Sequence, residues 1–251
     1  MLMSLKKRVA YALCLVMFFA ASAFGDMLDD LMGTTVKKGL EWGAGKFSQA
    51  IKDDALYDAI WENTKTAADI QTLIDNGADI NAKHTEQELT PLIAAGYKNT
   101  NPDVVRILLR AGADMNAKDK DNGMTALMWA CARNSNPEVI KAFLNFGADI
   151  NTKTETGTTL LMWAAGMNQN PEIITALINE GADVNAQRGG DKRTALMMAA
   201  WMNPNPYVVK TLIKSGADAG ATDINGDTAK DYASENPNSA SIISALEQNE
   251  R

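Results

Sequence analysis

A single histidine, His84, and two cysteines, Cys14 and Cys131, are all the imidazole and thiol that 251 residues provide. No metal set can be assembled from histidines in such a chain, and a nucleophilic triad would need His84 as its base. His84 falls in a polar loop and is expected at the surface. Phosphate chemistry lacks its signature as well. Gly189-Gly190 has no strand before it and no Lys-Ser after it at the spacing a phosphate loop requires. Positive charge is also short, with 24 Lys and Arg against 31 Asp and Glu, a formal net charge of −7 and no basic run in the body of the chain. A surface of that sign repels phosphate backbones and anionic lipid, which argues against nucleic acid as a partner. An enzyme, a cofactor carrier and a metal protein are therefore not expected.

What is present begins with an apparent export signal. Lys6-Lys7-Arg8 precede the apolar stretch Val9 to Ala20, and small residues close it at Ala21-Ser22-Ala23 or Ala23-Phe24-Gly25. That order of charge, apolar run and small residues reads as a signal peptide of bacterial type over 1–25. The apolar run of about 17 residues is short for a hydrocarbon core about 30 Å thick, so the membrane is a partner only if the segment stays uncleaved. Leu13 before Cys14 makes a poor lipobox. Cleavage would take the formal charge from −7 to −10 by removing Lys6, Lys7 and Arg8, and would leave Cys131 without a disulfide partner. The expected location is periplasmic or secreted, and Cys131 is expected to be a buried, unreactive thiol.

The strongest signal is internal repetition. Gly-Ala-Asp-x-Asn starts at Gly77, Gly112, Gly147 and Gly181, with a decayed copy at Gly216, at intervals of 35, 35, 34 and 35 residues. Thr-x-Leu recurs in the same phase at Thr90, Thr125, Thr159 and Thr194, relaxed at Thr228. Asn-Pro before an apolar helix recurs at Asn101, Asn136, Asn170 and Asn205, and again at Asn236. The threonines are suited to N-capping a short first helix, and each Asn to capping a second helix that opens on proline. The glycines supply the left-handed residue that ends the second helix. Asp79, Asp114, Asp149, Asp183 and Asp218 occur one per unit, as loop caps and not as a carboxylate pair.

Helix, turn, helix and projecting loop at this period resemble the ankyrin repeat. The family's Thr-Pro-Leu-His-x-Ala stands here as Thr90-Pro91-Leu92-Ile93-Ala94-Ala95, and as Thr125-Ala126-Leu127-Met128-Trp129-Ala130 in the next unit. Two further copies start at Thr159 and Thr194. The signature histidine is replaced by Ile93, Met128, Met162 and Met197, so its bonds between units are expected to give way to apolar packing. The link between helices, Asn-x-Asn-Pro, is about one residue longer than the family's. The resemblance implies an all-α solenoid of about six units over 53–251, after an irregular or helical segment over 26–52.

The same resemblance implies that the first helices line a concave groove. The fifth residue counted from each landmark Thr is Ala94, Trp129, Trp163 or Met198, and one turn further come Tyr97, Arg133, Met167, Trp201 and Met202. Large aromatic and Met side chains in a row suit the binding of protein, with Lys120 and Arg188 on the loops of the rim. The expected function is an exported monomeric scaffold or inhibitor that grips a protein partner. The alternative is a secreted effector that binds a host protein.

Overall fold

The computed structural model describes residues 45–46 and 48–247. The expected signal peptide over 1–25 and most of the segment over 26–52 lie outside the described residues. Helical pairs follow one another along the rest of the chain. They are α1 (48–61) with α2 (Ala67–Asp75), α3 (Pro91–Lys98) with α4 (Pro102–Arg110), and α5 (Ala126–Arg133) with α6 (Pro137–Asn145). Next come α7 (Leu160–Met167) with α8 (Pro171–Asn179), α9 (Ala195–Met202) with α10 (Pro206–Lys214), and α11 (Ala229–Ala233) with α12 (Ser239–Glu247). Since α1 is already helical at 48, the boundary expected at 53 falls inside the first inner helix.

Odd-numbered helices pack on odd-numbered neighbours in one layer from α3 to α11, and even-numbered helices pack on even-numbered neighbours in a second layer. This is the all-α solenoid that the repeats imply. Local chemistry sets the boundaries of the full units. Thr90, Thr125, Thr159 and Thr194 accept the N–H of Ile93, Met128, Met162 and Met197. Asn101, Asn136, Asn170 and Asn205 cap the outer helices, each followed by proline at the first helical position. The outer helices end on left-handed glycine; Gly112, for example, has φ of 92°, where any side chain would cost energy. Asp79, Asp114, Asp149 and Asp183 then accept the N–H two residues on, from Asn81, Asn116, Asn151 and Asn185.

The core lies between the two layers. Val104, Val105 and Leu108 of α4 are fully buried, as are Val139, Ile140 and Phe143 of α6. Burying such side chains stabilises by roughly 1.5–3 kcal/mol each. The inner helices approach closely at Gly96, where an added Cβ would lie 2.2 Å from the Ala126 carbonyl oxygen. Cys131 occupies the equivalent position in α5 and is completely buried, and burial pushes its thiol pKa far up.

A ladder of buried asparagines joins the units. Asn134 Nδ2 donates to the carbonyls of Gly96 and Asn99, both at 2.9 Å. Asn168 does the same to Cys131 and Asn134, and Asn203 to Ala165 and Asn168. Each Oδ1 accepts the N–H two residues on, so the whole amide is satisfied. Ile93, Met128, Met162 and Met197 are buried, as expected where the family has histidine. The bonds between units have not disappeared; they have moved to the first Asn of Asn-x-Asn-Pro. Asn236 belongs to this ladder, donating to Ala200 and Asn203, and so does not fill the capping role its Asn-Pro sequence suggested.

Candidate functional site

Each inner helix is short and packed on both sides, so only a narrow strip of it reaches the surface. In α3 that strip is Tyr97 and Lys98, in α5 Trp129 and Arg133, in α7 Trp163 and Met167, and in α9 Trp201 and Met202. Seven of the candidate residues therefore share one face of the layer. Tyr97, Trp129, Trp163, Met167 and Trp201 are half-buried, Arg133 is exposed, and Met202 is 44% exposed.

Met198 departs from expectation. It is only 7% exposed, and its side chain lies against the place where a Cβ on Gly166 would stand, 3.8 Å away. The cause is an exchange of bulk within the helix. Where the fifth residue of a unit is Trp129 or Trp163, the eighth is Ala132 or Gly166. Where the eighth is Tyr97 or Trp201, the fifth is Ala94 or Met198. Each layer has room for one ring, and in α9 the ring is Trp201.

At the N-terminal end the rings stack on one another. Tyr57 and Trp61 lie 5.8 Å apart at 14°, Trp61 and Tyr97 lie 5.4 Å apart at 13°, and Tyr97 meets Trp129 edge-on at 4.9 Å. Lys98 Nζ sits 4.7 Å from the centre of the Trp61 ring. Trp61 lies outside the expected set because α1 carries no Thr-x-Leu landmark to put it in register. At the other end, the Arg193 guanidinium lies 5.0 Å from both the Trp201 and Tyr232 rings and donates to the Tyr232 hydroxyl at 2.8 Å.

The loops above these helices are hairpins anchored by one residue each. Asp119 Oδ1 accepts the N–H groups of Asn122 and Met124, and its Oδ2 accepts the Trp129 indole N–H at 2.6 Å. Asp223 divides its oxygens in the same way, between its own hairpin and the Tyr232 hydroxyl, which donates at 2.7 Å. That bond holds the Asp223 carboxyl below the usual carboxylate range. Thr154 takes the equivalent place above Trp163 and accepts Thr158 N–H through its one oxygen. The Trp163 Nε1 is buried and has no hydrogen-bond partner among the described residues.

His84 fills the same anchor position in the first hairpin, and this overturns its expected exposure. It is 5% exposed and stacks on Tyr57 at 4.3 Å. Its Nδ1 accepts the N–H groups of Glu86 and Gln87, so the ring proton belongs on Nε2, which lies 3.3 Å from Asp58 Oδ1. The His84 role is structural, and its register with Asp119, Thr154 and Asp223 was the available signal.

On the rim, exposed Lys120 pairs with Glu88 at 2.9 Å. Arg188 is half-buried and held by Asp191, whose carboxyl the Arg188 guanidinium lowers to about 2. Arg188 thus braces its own hairpin, which reduces what it can offer to a partner. A shallow depression of about 440 Å³ opens where α5 and α7 end, between Ala132, Arg133, Met167 and Gln169. Among the described residues no cluster of His, Cys, Asp and Glu could hold a metal ion, and no helix is long and apolar enough to cross a membrane.

The repeated sequence that builds these capped helical pairs also matches a known family. The profile for Ankyrin repeats (3 copies) fits residues 56–154, 92–188 and 161–250. The chain belongs to the ankyrin-repeat family. Ankyrin repeats generally mediate contacts between proteins and are generally non-catalytic. No curated protein matches this ankyrin-repeat chain.

Proposed function

We propose that this ankyrin-repeat chain is exported and binds a partner protein through the inner wall of its stack, as a scaffold or inhibitor. The observation that carries the reading is the unbroken row Tyr97, Trp129, Trp163, Met167, Trp201 and Met202, one or two large side chains from every full unit, partly open to solvent. Trp and Tyr that are already held in place lose little freedom on binding, and such residues dominate interface energetics. Export rests on Lys6-Lys7-Arg8, the apolar stretch after them and the small residues that close it. Cleavage near Ala23 or Gly25 would release the repeats as a monomer into the periplasm or the medium.

The test is capture of the partner from the exported fraction by the mature chain, repeated with Trp129→Ala/Trp163→Ala and with Met202→Asp at a more exposed position. Met202 is 44% exposed, so its substitution leaves the core untouched. The expected result is loss of the same partner by both variants while their helical circular dichroism and melting stay cooperative. Undiminished capture by folded variants would remove the groove from consideration.

A further inference from the structure

The chain has 31 acidic side chains, yet none of them lies on the inner wall of the full units. Helices α3, α5, α7 and α9 hold Lys98 and Arg133 and neither Asp nor Glu. The turns that follow them, over 99–101, 134–136, 168–170 and 203–205, are made of Asn, Thr, Ser, Gln and Pro alone. Neither Arg133 nor Lys98 has an ion pair among the described residues, and Lys98 Nζ lies over the Trp61 ring. On the hairpins, Glu88, Glu155 and Asp191 are engaged by Lys120, Lys118 and Arg188, while Lys153 and Lys192, and likewise the exposed Glu86, Asp121 and Asp227, have no ion pair among the described residues, so the positive sign of the wall comes from Lys98 and Arg133.

The rings reinforce this sign. Trp61 has its faces occupied by Tyr57, Tyr97 and Lys98, so the exposed part of the stack is ring edge. An aromatic edge carries the positive end of the ring quadrupole and favours carboxylate and carbonyl oxygen. In the depression of about 440 Å³, Met167 offers a surface for methylene groups beside the Arg133 guanidinium. That combination fits the side chain of a glutamate. From charge complementarity we infer that the groove takes an acidic polypeptide segment of the partner. Its carboxylates meet Lys98 and Arg133, and its apolar side chains lie along the rings. The inference rests on the groove reading above and adds the chemistry of the occupant.

The probes are three fluorescein-labelled synthetic peptides with the same helical spacing of Leu, whose remaining positions are all Glu, all Gln or all Lys. Fluorescence anisotropy at low salt reads their affinity for the full repeat domain. The Glu peptide should bind at least about tenfold more tightly than the Gln peptide, with the Lys peptide weakest, and added salt should erase the difference. The variant Lys98→Glu/Arg133→Glu should invert the order, and Lys98→Gln/Arg133→Gln should flatten it. Both side chains are exposed, and melting by circular dichroism checks that the variants fold. Failure of the Glu peptide to bind, affinity for Glu no better than for Gln, or a Glu preference that survives charge reversal would each overturn the inference. If all three peptides bind alike and Trp129→Ala/Trp163→Ala abolishes binding, the groove reading survives without it.

Discussion

The Trp129 indole donates to the buried carboxylate of Asp119 at 2.6 Å, and one unit later the same indole nitrogen on Trp163 has no acceptor among the described residues. The difference lies in the anchor. A carboxylate has two oxygens, one for the hairpin and one for the ring, whereas Thr154 has one oxygen and spends it on Thr158 N–H. The hairpin after Asp223 closes over the same number of residues and serves both partners. Thr154→Asp should therefore supply the missing acceptor. The expected gain is about 1 kcal/mol in urea unfolding, and Asp119→Ala should lose at least as much. A Thr154→Asp protein less stable than the parent would show that the Trp163 nitrogen lies out of reach.

Asn203 sits fully buried between units, with its amide donating to Ala165 and Asn168 at 2.8 and 2.7 Å and accepting from Asn205 N–H. Asn203→Ala strips partners from three backbone groups at once. The loss should be about 3 kcal/mol by chemical denaturation, and Asn203→Asp should also be destabilising because an acid cannot donate when ionised. Asn238, whose amide reaches Pro204 at the exposed edge of the stack, should cost much less on the same substitution.

Two glycines of the inner helices should respond with opposite signs. A methyl group on Gly96 meets the Ala126 carbonyl oxygen at 2.2 Å, and backbone cannot move aside without separating the helices. Gly96→Ala should cost about 2 kcal/mol or more in spite of its better helix propensity. On Gly166 the nearest atom, Met202 Sδ, lies 3.7 Å away at ordinary contact distance. Gly166→Ala should gain up to about 1 kcal/mol, read from the same melts.

Acid should loosen the fourth hairpin through Asp191. Hydrogen bonding from Arg188 holds the Asp191 carboxyl at about 2, below its unfolded value. A depressed folded value means that the stabilisation is full above the unfolded value and is lost as pH falls toward about 2. Stability measured from about pH 5 down to about pH 2 should fall less steeply in Asp191→Asn than in the parent, although the variant starts lower. Equal slopes would show that the pair is disengaged in solution.

Sequence reasoning reached what neighbours in the chain decide. Thr125 and Asn136 reveal themselves as caps because the N–H groups they accept lie two or three residues away, and Gly112 because its conformation excludes other residues. The buried ladder was hidden because Asn134 and Gly96 are 38 residues apart, so nothing local marks Asn134 as different from a polar turn residue. The burial of His84 is illegible in the sequence for the same reason, since it depends on Tyr57 in α1. Met198 and Trp201 show a subtler limit. Periodicity puts both on the inner helix, and only the space left by Gly166 decides which of them surfaces.

The asparagine ladder has a direction. The N–H groups of every rung reach back to carbonyl groups already made when that rung leaves the ribosome, and its oxygen needs only the N–H two residues on. A newborn stack can therefore lengthen one unit at a time, each arrival tying itself to a finished surface, while loss of the last unit would bare acceptors that the shorter stack cannot cover. Loss of the first unit would instead strand donors, since Asn99 would lose the Ile60 carbonyl that it holds at 2.9 Å.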